Sequence, residues 1–202
     1  MKIFCIGYNK TGTSSLSEIF FQNGFLVAPQ QPFECNMESY FFDSYDTIVK
    51  MIKNDYFQYS YFQDIPFSLP NLYKTLYENF PDAKFILTVR DDEDVWYKSL
   101  VRFHKQIFTH FRNPTEISFT YKGLIFKKLT QVYGAPKYSP YDYDSLTKSY
   151  LKHIEDVENY FKDKKNSLIK INIKDPDLID KLESFLDINF HNREVPHINK
   201  SL

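Results

Sequence analysis

The residues best suited to chemistry crowd into one stretch near the start of the chain, Gly7-Tyr-Asn-Lys-Thr-Gly-Thr-Ser-Ser15. It brings together an amine, two glycines and the hydroxyls of Thr11, Thr13, Ser14 and Ser15. An apolar run from Lys2 to Ile6 precedes it, and Leu16, Ile19 and Phe20 follow at helical spacing up to a stop at Asn23-Gly24. That order reads as strand, glycine-bounded loop, helix. Such a turn points several backbone N–H groups and the positive end of a helix dipole at one spot, a seat for a phosphate or sulfate. Lys10 lies inside the loop, where its ammonium can reach over a bound anion from the edge. The plainer alternative is a strand-to-helix turn that holds no ligand.

Gly7 and Gly12 keep the spacing of the nucleotide P-loop, but Thr13 stands where that motif requires lysine. No strand ending in aspartate clearly offers the second magnesium ligand of an NTPase, so the loop suits an anion that arrives without a metal. Its sequence, GYNKTGTSSL, is similar to the phosphosulfate-binding loop of sulfotransferases that use 3'-phosphoadenosine 5'-phosphosulfate (PAPS). A second stretch carries the same resemblance: Phe80-Pro-Asp-Ala-Lys-Phe-Ile-Leu-Thr-Val-Arg90, followed by Trp96-Tyr97 and Ser99. In that family an arginine at a strand end and a serine on the next helix grip the 3'-phosphate of PAPS, and paired guanidinium N–H donors suit a phosphate dianion. The spacing from Arg90 to Ser99 is one residue longer than is usual there. An ion pair with Asp91, Asp92 or Asp94 is the competing use of Arg90. The likeness continues through Asp64-Ile-Pro66 and, weakly, into a tail with Lys181-Leu182, Phe185-Leu186, Pro196 and Asn199, so that it covers nearly the full length.

The resemblance implies transfer of a sulfuryl group from PAPS to a hydroxyl or amine of a small-molecule or glycan acceptor, by in-line displacement, leaving 3',5'-adenosine bisphosphate. Asn9, Lys10, Thr11, Gly12, Thr13, Ser14 and Ser15 would hold the 5'-phosphosulfate, and Arg90 and Ser99 the 3'-phosphate. No metal is expected. Lys10 would stabilise charge on the leaving phosphate. Asp64, two residues before Pro66, takes the place of the family's catalytic histidine or acid and is favoured as the base; capping the turn before Pro66 is its ordinary alternative use. His104 and His153 are the other candidates for the acceptor's proton. Two rival readings stand beside this one: a P-loop kinase or NTPase, and a catalytically silent nucleotide-binding relative.

Positioning these groups requires a sheet. Ala83 to Val89 is the clearest buried parallel strand, and Lys2 to Ile6, Phe25 to Ala28, Tyr59 to Gln63 and Leu168 to Ile173 are further strands. Pro29 to Pro32 breaks the pattern. Helices are predicted over Glu38 to Asn54, Leu69 to Phe80, the segment from the acidic turn Asp91-Asp-Glu-Asp94 to Asn113-Pro114, Phe119 to Val132, Leu146 to Phe161 and Leu178 to Phe185. Gly134 to Tyr143 is turn-rich and a candidate acceptor-side loop; the tail from Asn189 has no clear element. Strands separated by helices predict an α/β fold, a three-layer sandwich around a short parallel sheet with a P-loop-like unit at its start.

At 202 residues, with no repeat or linker, the chain is expected to form a single domain over 1–202. A formal net charge of −1 gives no reason to expect nucleic acid or an anionic membrane as partner. No apolar run approaches transmembrane length, and the first residues form a strand where a secretory signal would lie, so a cytoplasmic location without membrane insertion is expected. Cys5, in the first strand, and Cys35, placed in a loop, are expected to stay reduced. The five histidines form no metal-binding spacing.

Overall fold

The computed structural model describes residues 1–35, 45–110 and 125–196. In chain order these form β1 (Ile3–Cys5), α1 (Thr13–Gln22), α2 (Gln30–Cys35), α3 (Asp46–Asn54), β2 (Tyr61–Phe62), α4 (Leu72–Asn79), β3 (Lys84–Val89), α5 (Glu93–His110), a π-helical turn (Lys128–Val132), α6 (Tyr143–Phe161), β4 (Leu168–Asn172) and α7 (Leu178–Leu186). Two compact units result, one built from Met1–Val89 with Asp156–Lys200 and the other mainly from Arg90–Glu155.

The first unit holds a four-stranded sheet in the order β2-β1-β3-β4, parallel at every pairing. Ile3 faces Tyr61 on one side and Lys84 on the other, while Phe85 to Val89 pair with Leu168 to Asn172. A parallel sheet is buried on both faces, which explains why β1 is apolar at every position. Alternation sends Ile3, Cys5, Tyr61, Ile86 and Ile171 into a cluster with Leu16, Ile19 and Phe20 of α1 and Leu178, Leu182 and Leu186 of α7. The opposite face is aromatic. Phe4 lies 5.3 Å from Phe62, 5.8 Å from Phe67, 5.7 Å from Phe80 and 5.6 Å from Phe85, ring centre to ring centre. Phe85 meets Tyr77 of α4 and Phe161 at the end of α6. Helices on both faces of an all-parallel sheet make this the expected α/β sandwich.

Several elements differ from the sequence expectation. Pro29 to Pro32 does not simply break the chain: α2 runs from Gln30 to Cys35, and Pro32 is tolerated because it lies in the first turn, where its missing N–H has no helical partner to lose. Cys35 therefore closes a helix and does not lie in a loop. The strand expected at Phe25 to Ala28 shrinks to one parallel bridge, Val27 to Tyr61, flanked by bonds from Ser60 N and Ala28 N. Helix α4 starts at Leu72, later than the expected Leu69, because Leu69 and Pro70 belong to turns that follow Asp64.

The helix expected to end at Val132 finishes as a π turn, closed by Tyr133 N on Lys128 O at 3.0 Å. The wider turn buries Lys128, Leu129 and Tyr133 together, with the Lys128 ammonium 5.5 Å from the Tyr133 ring centre. The first part of the helix expected over Glu38 to Asn54, the stop at Asn113-Pro114, the start of the helix at Phe119 and the end of the tail with Asn199 lie outside the described residues.

Candidate active site

Chain geometry at the end of β1 explains both glycines of the loop. A Cβ on Gly7 would sit 2.1 Å from Thr88 Oγ1 and 2.5 Å from the Thr88 carbonyl oxygen, so only glycine lets the end of β1 lie this close to β3. Gly12, at φ 102, is the N-cap of α1, and a Cβ there would press on Ile173 at 2.8 Å. Lys10 also adopts a left-handed backbone, at φ 71. Together these positions turn the chain back on itself, and α1 starts directly behind the loop. Its first turn, where Thr13 and Ser15 are buried and Ser14 half-buried, carries no acidic residue to offset the positive helix end.

Thr11 is fully buried. Its hydroxyl donates to the Tyr8 carbonyl at 2.6 Å, so the 2.6 Å bond to Thr88 must be donated by Thr88 Oγ1. Thr88 then has no proton left for Cys5, whose thiol lies 3.7 Å away and is the donor of that weak contact. The relay Cys5 to Thr88 to Thr11 to Tyr8 pins the loop on β3. Burial pushes the Cys5 thiol up to about 11.

Asp64 follows β2 in a left-handed conformation, φ 60. Its Oδ1 accepts the Ile65 N–H at 2.9 Å and the side-chain amide of Asn9, and its carbonyl accepts Ser68 N at 2.9 Å. The fold thereby brings the loop and the favoured base into direct contact across 55 positions.

In the second unit Arg90 precedes α5, and its N–H donates to the Tyr150 hydroxyl at 2.9 Å. Tyr150 is itself stacked on Trp96, 4.6 Å between ring centres at an interplanar angle of 6°. Asp92 Oδ1 accepts Val95 N at 2.7 Å, the bond of a helix N-cap, while Asp94 binds the Lys98 ammonium at 3.2 Å and the Tyr143 hydroxyl. Asp91 is the acidic residue whose field supports the charge on Arg90, whereas burial, the larger effect, lowers its pKa. Ser99 lies half-buried on α5, about 9 Å along the axis from the first helical residue at 1.5 Å per residue.

A family model described as a sulfotransferase domain matches residues 2–202. The chain belongs to the sulfotransferase family. No curated protein matches it significantly.

The histidines of this sulfotransferase divide by place. His104 is buried on α5 with Nδ1 3.2 Å from the Tyr141 hydroxyl, and His153 is buried on α6. His191 is exposed, while the His110 side chain and His197 lie outside the described residues. Among the described residues no group of three or more His, Cys, Asp and Glu side chains is arranged to hold a metal ion, and no helix is long and apolar enough to cross a membrane.

Three supporting residues of the sulfotransferase escaped the sequence reading: Thr88, Tyr150 and Ile173. Thr88 was embedded in an apolar strand, where a hydroxyl needs a partner, and that was the one available signal. Tyr150 and Ile173 were indistinguishable from ordinary core positions.

Proposed function

We propose that this sulfotransferase moves the sulfuryl group of PAPS to a hydroxyl or amine of a small-molecule or glycan acceptor. The carrying observation is the loop itself: a lysine in a left-handed turn, followed by the glycine-capped start of a helix with no acidic first-turn residue. The backbone of Asn9 to Ser15 with the Ser14 hydroxyl would receive the 5'-phosphosulfate. Thr11 contributes mainly its backbone, since its hydroxyl is committed to Tyr8. Arg90 and Ser99 would receive the 3'-phosphate, each from its place before or on α5. The family match runs through both compact units, which supports one sulfotransferase domain.

In the reaction the acceptor oxygen bonds to sulfur as the bond from sulfur to the bridging 5'-phosphate oxygen breaks. The electron pair leaves with the phosphate, and Lys10 hydrogen-bonds the oxygens on which that charge grows. The acceptor proton passes to Asp64. Calorimetric titration with 3',5'-adenosine bisphosphate in the presence of EDTA tests the donor site. Saturable micromolar or tighter binding is the expected result. No binding of that nucleotide, with ATP binding only when magnesium is added, would return the chain to the kinase reading.

A further inference from the structure

Asn9 and Asp64 meet in a way that neither anion binding nor turn capping requires. Capping the turn before Pro66 needs only the local bond from Ile65 N to Asp64 Oδ1, at 2.9 Å. The second bond to that same oxygen comes from the Asn9 amide, the residue next to Lys10, reaching over from the loop after β1. We infer that Asn9 is a positioning residue: it holds Asp64 with one carboxylate oxygen occupied and the other presented for the acceptor's proton. This rests on the reading of Asp64 as base.

The geometry gives the two oxygens different roles. An ionised carboxylate offers about four lone-pair sites over its two oxygens. Here both side-chain hydrogen bonds fall on Oδ1, and among the described residues none falls on Oδ2. Two donors on one oxygen, one from the residue's own backbone and one from a separate loop, stop rotation of the carboxylate about its last bond. Asn9 and Asp64 both belong to tight turns, the first beside Lys10 at φ 71 and the second itself at φ 60, so neither partner drifts freely. Because Asn9 adjoins Lys10, the orientation of the base is tied to the loop that holds the leaving group. In the step itself the acceptor O–H loses its proton to Oδ2 while its oxygen bonds to sulfur.

The test uses the full chain with PAPS and water as acceptor, following release of 3',5'-adenosine bisphosphate for kcat, with the Kd of that nucleotide measured by calorimetry. Water needs the same deprotonation, so no natural acceptor is required. Asn9→Ala is expected to lower kcat about 10-fold, the scale of one lost hydrogen bond, with Kd unchanged within about two-fold. Asp64→Asn lowers kcat at least as far, and the double variant falls no further than Asp64→Asn alone. If Asn9→Ala does not fold, the isosteric Asn9→Asp carries the same test, since it keeps the size of the side chain and removes the amide donor to Asp64 Oδ1, so kcat falls at least as far. The inference is overturned if Asp64→Asn loses turnover while Asn9→Ala keeps the wild-type kcat, or if Asn9→Ala only weakens nucleotide binding. Asp64→Asn with undiminished kcat would instead remove the base reading itself.

Discussion

Lys10 occupies a backbone region that side chains other than glycine, asparagine and aspartate seldom visit, at a cost of about 1 kcal/mol. The strain at this position and the proposed role of the amine can be tested apart. Lys10→Gly separates the two effects: the unfolding free energy should hold steady or rise by up to about 1 kcal/mol in urea titrations, while kcat with PAPS falls about 100-fold or more. A large loss of stability would instead make Lys10 a structural residue. Cys5 offers a pH handle on the same loop. Its folded thiol is raised to about 11 from 9.0, so the native state keeps a proton that the unfolded chain releases first. That contribution is complete below pH 9 and disappears as pH climbs through about 11. Cys5→Ala should therefore lose less stability than the wild type between those limits, by about 2–3 kcal/mol at most. Tyr61, also raised by burial, keeps part of the alkaline slope in the variant.

At the scale of elements, the approach of β1 to β3 decides where the loop can be. Gly7 permits it, and the hydrogen-bond relay through Thr88 and Thr11 fastens it. Gly7→Ala is expected to cost about 3 kcal/mol or more in chemical denaturation, because the added Cβ meets the Thr88 carbonyl oxygen at 2.5 Å and its nitrogen at 2.8 Å. Trimming the side chain with Thr88→Ala removes only the Oγ1 contact, so the double variant should not recover. Recovery would show that the clash is one of side chains alone. In the second unit the stack of Trp96 on Tyr150 plays a comparable part for Arg90, fixing a hydroxyl against the backbone of the residue that leads into α5.

For the whole molecule, a ligand that binds the native state must stabilise it. With 3',5'-adenosine bisphosphate at about 100 times its Kd the gain is about 2.7 kcal/mol. For a chain of this size that corresponds to a rise in Tm of about 5–10 °C in a thermal melt without magnesium, and no rise at any concentration would count against the proposed donor. The amino-acid sequence by itself determined the α/β class, the parallel sheet, the strand-loop-helix unit around Lys10 and the helix α5 behind its acidic turn. Those features are written in local periodicity and in glycine and acidic residues at fixed offsets, all within a window of a few turns. It did not determine α2, whose Pro32 reads as a breaker until its place in the first turn is known, or the π turn ending at Val132, in which Lys128 and Leu129 are buried. Only the tertiary structure decided that Asn9 meets Asp64 across 55 positions, that Arg90 leans on Tyr150 across 60 and that Thr11 bonds Thr88 across 77. Such contacts depend on the path of the whole chain and on closing long loops, and a hydroxyl or amide in the sequence carries no mark of which distant partner it will find.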